Sequence, residues 1–353
     1  MNRYSSLSES QWVDRSIDRR EFGWTGVKVS DIGMGTYYGH SYEIMAPLFR
    51  LQGGWDKKIA ALKEGLSLLR QQGGWHKKIA ALNKALTLLR QQGSMSEKIE
   101  ALKKGLELGI NLIDTAEIYQ TEDIVAEAIK GHERGDLFIA TKVPGNNLRY
   151  DDVLKAAENS LNRLECSYID LYQIHWPNSR VPIEETMKAM EKLVDDGKVR
   201  YLGVSNFSLE QMRRAEEALS KNKLASNQVE YNLMVRGIEK DLLPYCEQKG
   251  IVILPYRPIA QGTLANPNER LKAVMDEISQ KHGGKTPAQV ALNWLMTKSN
   301  VIFPIPRASR PERVIENVGS VGWSLGIEDM RKLEECAHLS MQVAQNRKKG
   351  NHR

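Results

Sequence analysis

The stretch NLIDTAEIY, residues 111–119, decides how this chain is read. Residues 110–113 form an apolar run short enough for a strand buried on both faces, and the run stops abruptly on an acid, Asp114. Tyr119 follows five residues later, ahead of a helical pattern beginning near Glu122, so an acid and a phenol can meet at the strand's carboxyl end. In isolation the same residues also read as a turn capped by Asp114 or Thr115 with Tyr119 packed over it. The choice depends on whether other strands end in the same way.

Downstream, buried runs recur at LFIATKV (137–143), IDLYQIHW (169–176), YLGVSNF (201–207), NQVEYN (227–232), IVILPYRP (251–258) and VIFPIPRA (301–308), with amphipathic segments between them. With the strands ending near Thr36 and Asp114 this makes eight. The fold class is therefore α/β, a closed parallel (β/α)8 TIM barrel. An open sheet of this size would divide or carry a dinucleotide fingerprint, and GMGTYYG (33–39) lacks the glycine spacing and the following acid.

Upstream, REFGWTGVKVSDIGMGT (20–36) alternates on both sides of Thr25-Gly26, which predicts an N-terminal hairpin leading into the first barrel strand. Residues 1–18 read as an extension outside the main fold. A repeat then occupies 53–92: GGWDKKIAALKEGLSLLRQQ and GGWHKKIAALNKALTLLRQQ match at 15 of 20 positions, and GSMSEKIEALKKGLELGINL (93–112) matches the first at 9, which marks a degenerate third copy. Ile59, Leu62, Leu66 and Leu69 fall at helical spacing, as do Ile79, Leu82, Leu86 and Leu89, so the first two copies predict an inserted α-helical hairpin in the first βα loop. The third copy is also the helix that feeds the 111–119 strand. Copies so regular resemble an engineered or recently duplicated insertion. The barrel is expected over 19–340, interrupted by 53–92, with a basic tail at 341–353.

Composition narrows the function classes. At 353 residues, 41% hydrophobic and 27% charged, the chain can bury one large core. It has no apolar run near the ~18 residues that span a bilayer, so a cytoplasmic protein with no membrane partner is expected. Cys166, Cys246 and Cys336 are widely spaced and odd in number, which predicts free thiols and no metal site. The net charge is +6, but Arg347, Lys348, Lys349 and Arg353 lie in the last seven residues, so no nucleic-acid partner is expected.

Asp114, Lys142 and His175 end three successive strands, each about one βα unit from the next, and so project from the same rim. Separately, Lys142 could reach solvent and His175 could be a satisfied core histidine. Their common register argues for one site.

With these residues in place, REFGWTGVKVSDIGMGT, NLIDTAEIY, the ATK ending on Lys142, YIDLYQIHWP, GKVRYLGVSNF, NQVEYN and VIFPIP resemble, in order, the motifs of the aldo-keto reductase superfamily, over 19–42 and 94 to about 340. The resemblance implies NADP(H)-dependent reduction of a small-molecule aldehyde or ketone, with Asp114, Tyr119, Lys142 and His175 as the catalytic tetrad and Tyr119 as proton donor. The expected chemistry is that Lys142 lowers the phenol's pKa, Asp114 keeps the ammonium charged, and His175 orients the carbonyl oxygen. It implies cofactor contacts from Gly35, Thr36, Ser205, Asn206, Gln228, Tyr256, Arg257, Pro258, Ile259, Gln261, Gly262, Arg307, Ser309, Arg313, Glu316 and Asn317. The arginine forks would meet a 2′-phosphate. Tyr37, Tyr38 and Trp176 are expected at the substrate pocket, with Ile44, Met45, Leu48 and Phe49 as further candidates and the inserted helices as its lid. Arg307, Ala308, Arg257 and Gln120 depart from the residues usual at their positions. The competing reading is a cofactor-binding regulatory protein, or an engineered scaffold, on the same barrel. The sequence carries no signal for oligomeric state.

Overall fold

The computed structural model describes residues 17–38 and 95–350. The expectations for residues 1–16, for Ile44, Met45, Leu48 and Phe49, and for the helical pair at 53–92 fall outside these residues.

Seven parallel strands form a sheet in sequential order: β3 (Met34–Gly35), β4 (Leu112–Asp114), β5 (Phe138–Val143), β6 (Ile169–Ile174), β7 (Val199–Ser205), β8 (Leu224–Glu230) and β9 (Val252–Tyr256). The expected eighth strand at 301–308 is instead a run of isolated bridges, Ile253 to Ile302 and Gly35 to Arg307, that joins the two edges. Two prolines account for this. The amides of Phe303 and Ile305 reach the carbonyls of Ile253 and Pro255, but Pro304 and Pro306 have no N–H. Toward β3 the run therefore only accepts, from the amides of Gly33 and Gly35 at 2.9 and 3.2 Å. The barrel closes with half a ladder on that side.

The hairpin β1 (Arg19–Glu21) and β2 (Lys28–Ser30) pairs Arg19 with Ser30 as its alternation predicts. It plugs the amino end of the barrel: Phe22 and Val29 join Leu112, Phe138, Ala140, Leu171, Val252, Leu254, Phe303 and Ile305 in one interior cluster. The Phe22 ring lies 4.6 Å from that of Phe138. Ile17 is buried in the main core, so the fold begins at or before it.

The period-two alternation of strands then places the chemistry. Continuing the inward series gives Asp114 after Leu112, Lys142 after Phe138 and Ala140, His175 after Leu171 and Gln173, Ser205 after Gly203, Tyr256 after Val252 and Leu254, and Arg307 after Phe303 and Ile305. Each is the last inward residue of its run, so all gather at the carboxyl rim. Below the rim, Ser226 donates to Gln173 at 3.1 Å. A Cβ on Gly203 would meet the Ser226 hydroxyl at 2.3 Å, so this layer needs glycine.

The third repeat copy is a helix over 95–107. Leu102 and Leu106 are buried at the positions of Leu62 and Leu66, but Gly109, in the left-handed region at φ 92°, replaces Leu69 and ends the helix before β4. The last helix, Ile327–Gly350, includes the first ten residues of the expected basic tail. Among the described residues no helix is long and apolar enough to cross a membrane.

Candidate active site

Lys142 is fully buried, and its ammonium donates to both Asp114 carboxylate oxygens at 2.8 Å and to the Thr115 carbonyl at 2.7 Å. Three acceptors for three N–H bonds leave it satisfied in the dry interior. Gln228 donates its amide to Asp114 Oδ2 at 2.7 Å, so this residue, expected against the cofactor, also braces the carboxylate. Burial pulls the Lys142 pKa down while the Asp114 charge opposes it.

Tyr119 sits on a single 3-10 turn, Glu117–Tyr119, which ends on Gln120 in the left-handed region (φ 51°). Gln120 departs from the family's glycine at a position where glycine relieves strain. The turn is pinned from below, where Thr121 shares hydroxyl hydrogen bonds with Thr36 (2.8 Å) and Thr115 (2.9 Å). Tyr119 Oη lies 3.3 Å from His175 Nε2. The Lys142 ammonium is 4.9 Å from the centroid of the Tyr119 ring.

One sequence expectation is reversed. The Tyr119 phenol is held well above its ordinary pKa, first by burial and then by the Asp114 charge. Tyr119 is therefore fully protonated and carries a proton to give. His175 is depressed to about 3 by burial and by Lys142, and is neutral. Its buried Nδ1 has no hydrogen-bond partner among the described residues, so the proton belongs on Nε2, where only an acceptor is left orphaned at Nδ1.

A neutral histidine has a stability consequence. Between pH 6.5 and 3 the unfolded chain binds a proton here that the folded chain does not. This contribution is whole above 6.5 and is lost as pH falls toward 3. Thermal melts at pH 7 and pH 4 should show His175→Gln losing less stability on acidification than the parent, by of order 3 kcal/mol. Equal losses would show that His175 is already charged in the fold.

Tyr37 and Trp176, both partly exposed, flank the pair. Tyr37 lies 5.0 Å from the Tyr119 ring and Trp176 lies 4.8 Å from the His175 ring. Trp176 packs on Gly145, where a Cβ would meet its Nε1 at 2.2 Å. The Tyr38 hydroxyl is buried with no hydrogen-bond partner among the described residues, and the centroid of its ring lies 4.9 Å from the Lys98 ammonium.

The amides and hydroxyls at the ends of β7 and β8 interlock. Ser205 donates to the Gln228 carbonyl at 2.8 Å, Asn206 donates to the His175 carbonyl at 2.9 Å, and Tyr256 donates to Asn206 Oδ1 at 3.0 Å. The loop after β9 is strained, with Arg257, Ala260 and Gln261 all left-handed. A Cβ on Gly262 would meet nothing within 4 Å. Pro258 and Ile259 lie in this loop, and Ile259 packs on the core. After the eighth run come Arg307 and Ser309, then helix Pro311–Val318, where Arg313 pairs with Glu316 at 2.5 Å and Asn317 is buried. Sequence reasoning missed Glu122. It is fully buried in a helix's first turn and accepts from Thr141 and Arg163 at 2.6 Å each. An acid in a first helical turn usually signals only the helix dipole, so nothing in the sequence set it apart.

A buried Lys–Asp pair thus lies beneath a protonated tyrosine and a neutral histidine at the carboxyl rim of a parallel barrel. Residues 80–338 match the model of the aldo/keto reductase family, and the chain belongs to that family. Methylglyoxal reductase YeaE of Escherichia coli is 38% identical over 65% of this chain and 81% of its own length. Glyoxal reductase of Bacillus subtilis is 39% identical over 64% and 78%. The thermostable aldo-keto reductase Tm1743, crystallised with the inhibitor epalrestat, superposes with a TM-score of 0.71 at 33% identity, covering 91% of this chain and all of that one. An aldo-keto reductase from Klebsiella pneumoniae, crystallised with NADPH, gives a TM-score of 0.69 at 28% identity over 90% of this chain and 95% of its own.

Proposed function

We propose that the chain reduces small aldehydes and ketones to alcohols with NADPH, with α-dicarbonyls such as methylglyoxal and glyoxal as its leading substrates. The observation that carries this reading is the 3.3 Å approach of Tyr119 Oη to His175 Nε2 above the Lys142–Asp114 pair. The two YeaE-like and glyoxal-reducing relatives support the substrate class, and the NADPH-bound neighbour supports the cofactor. NADPH, when bound, supplies the hydride.

The chain's own residues do the rest. A carbonyl oxygen set between Tyr119 and His175 accepts the His175 Nε2–H, which orients it and takes up its growing negative charge. Tyr119 donates its proton to that oxygen, completing the alcohol, and the resulting phenolate faces the Lys142 ammonium until solvent reprotonates it. The Lys142 ammonium, held by the Asp114 carboxylate at 2.8 Å, is the cation that this phenolate meets. Tyr37 and Trp176 wall the opening and favour compact substrates. Following NADPH absorbance across dicarbonyls, simple aldehydes and aromatic ketones tests this. Highest kcat/KM on dicarbonyls is expected, and the absence of turnover on every carbonyl would favour a cofactor-binding regulatory role.

The donor set fits a phosphate-bearing dinucleotide: amides and hydroxyls at Ser205, Asn206 and Gln228, an aromatic face at Tyr256, and cations at Arg307 and Arg313. Arg313→Ala should weaken NADPH about tenfold, the scale of one charge-assisted bond to phosphate, and weaken NADH far less. Titrations of both cofactors by tryptophan fluorescence measure this, and equal weakening would place Arg313 away from the 2′-phosphate.

A further inference from the structure

Outside the tetrad, two cations without an ion pair among the described residues lie where the barrel closes. The bridge between Gly35 and Arg307 sets two carboxyl ends side by side, so Tyr38 and Arg307 emerge from adjacent edges. Lys98, in the first turns of the 95–107 helix, places its ammonium 4.9 Å from the Tyr38 ring. Neither Lys98 nor Arg307 makes an ion pair among the described residues, whereas most of the chain's other cations here do. Burial first and then the Arg307 charge pull the Lys98 pKa down, and among the described residues Glu97 opposes them.

Beside Lys98 is the Tyr38 hydroxyl, shut off from solvent and without a hydrogen-bond partner among the described residues. Burial pushes that phenol well above its ordinary pKa, so it remains an O–H donor. A buried orphan donor costs about 1–3 kcal/mol and like charges held together add to that, so the fold maintains this arrangement at a loss unless something fills it. Two cations and one hydroxyl donor, with no acceptor paired to them among the described residues, are the complement of a phosphate.

We propose that Lys98, Arg307 and the Tyr38 hydroxyl form a phosphate subsite in which Lys98 is a cofactor-binding residue supplied by the repeat-derived helix. This rests on the reading that the chain binds NADPH. It gives Tyr38 a role in cofactor binding in place of the substrate pocket, and gives Lys98 a role that its sequence context hides. The same lysine stands at Lys58 and Lys78 in the preceding copies, where it reads as a solvated face. Two phosphates of the dinucleotide share this chemistry, the pyrophosphate bridge and the 2′-phosphate.

The test is a set of fluorescence titrations of the full chain with NADPH and NADH, on the parent, Lys98→Gln, Lys98→Arg and Tyr38→Phe, with thermal midpoints recorded without ligand. Lys98→Gln is expected to keep or raise the midpoint, because it relieves the repulsion. It should weaken binding about tenfold, with Lys98→Arg restoring most of the loss and Tyr38→Phe losing several-fold. Equal weakening of both cofactors identifies the pyrophosphate, and weakening of NADPH alone identifies the 2′-phosphate. Unchanged affinity for both in Lys98→Gln, while Arg313→Ala still weakens NADPH, overturns the subsite and leaves the cofactor reading standing. A parent that binds neither cofactor overturns both.

Discussion

Tyr119→Phe should lower reductase turnover by a factor of about 10² to 10⁴ while leaving NADPH affinity within about twofold, because general acid catalysis contributes on that scale and the substitution removes one oxygen. Among the described residues at the rim, the phenol is the group that fits the role. His175 is neutral with a single ring proton committed to orienting the carbonyl, and Lys142 is fully buried with all three N–H bonds engaged. Among the described residues the lost oxygen makes one hydrogen bond, the 3.3 Å approach to His175, so the fold and the cofactor groups on β7 to β9 should be undisturbed. Turnover measured with methylglyoxal, paired with a fluorescence titration of NADPH, separates the two effects. Near-parent turnover would move the proton donor to another residue, and a parallel loss of NADPH affinity would mean that the Glu117–Tyr119 turn had been displaced.

The meeting of Asp114, Lys142 and His175 at one rim was legible in the sequence because strand periodicity and βα spacing are local rules. Asp114, Lys142 and His175 each close an apolar run, and the period of two carries that regularity to the rim. The eighth strand was legible as a buried run but not as half a ladder, since the consequence of Pro304 and Pro306 depends on which neighbour each would have bonded. The charge states were less accessible. A lysine beside a tyrosine suggests a lowered phenol, but burial and then the Asp114 charge raise it, and neither is written in the local sequence. Gln228 bracing Asp114 from 114 residues away, and Lys98 facing Tyr38 across the first βα unit, are tertiary meetings that no spacing rule anticipates.

The Lys142–Asp114 pair should separate stability from catalysis in a double-mutant cycle. Lys142→Met leaves the Asp114 carboxylate in a dry interior with only the Gln228 amide from among its observed donors, and breaking a buried pair in this way costs about 3–5 kcal/mol. Asp114→Asn strands the ammonium in the same sense, and the cost is partly relieved because Lys142, its pKa already lowered by burial, can shed its proton. When both are replaced, neither charge is left uncompensated, so the double variant should recover most of the stability that Lys142→Met loses, with a coupling energy of a few kcal/mol. Activity should behave differently. No variant of the three keeps a fixed cation facing the Tyr119 phenolate, so each should lose at least about a hundredfold in turnover, and the double variant should be no more active than the weaker single one. Denaturant midpoints and NADPH turnover on the four proteins give both cycles. Additive stability losses would mean that water or a neighbouring group already compensates each charge separately, and recovery of turnover along with stability would show that the pair serves the fold alone.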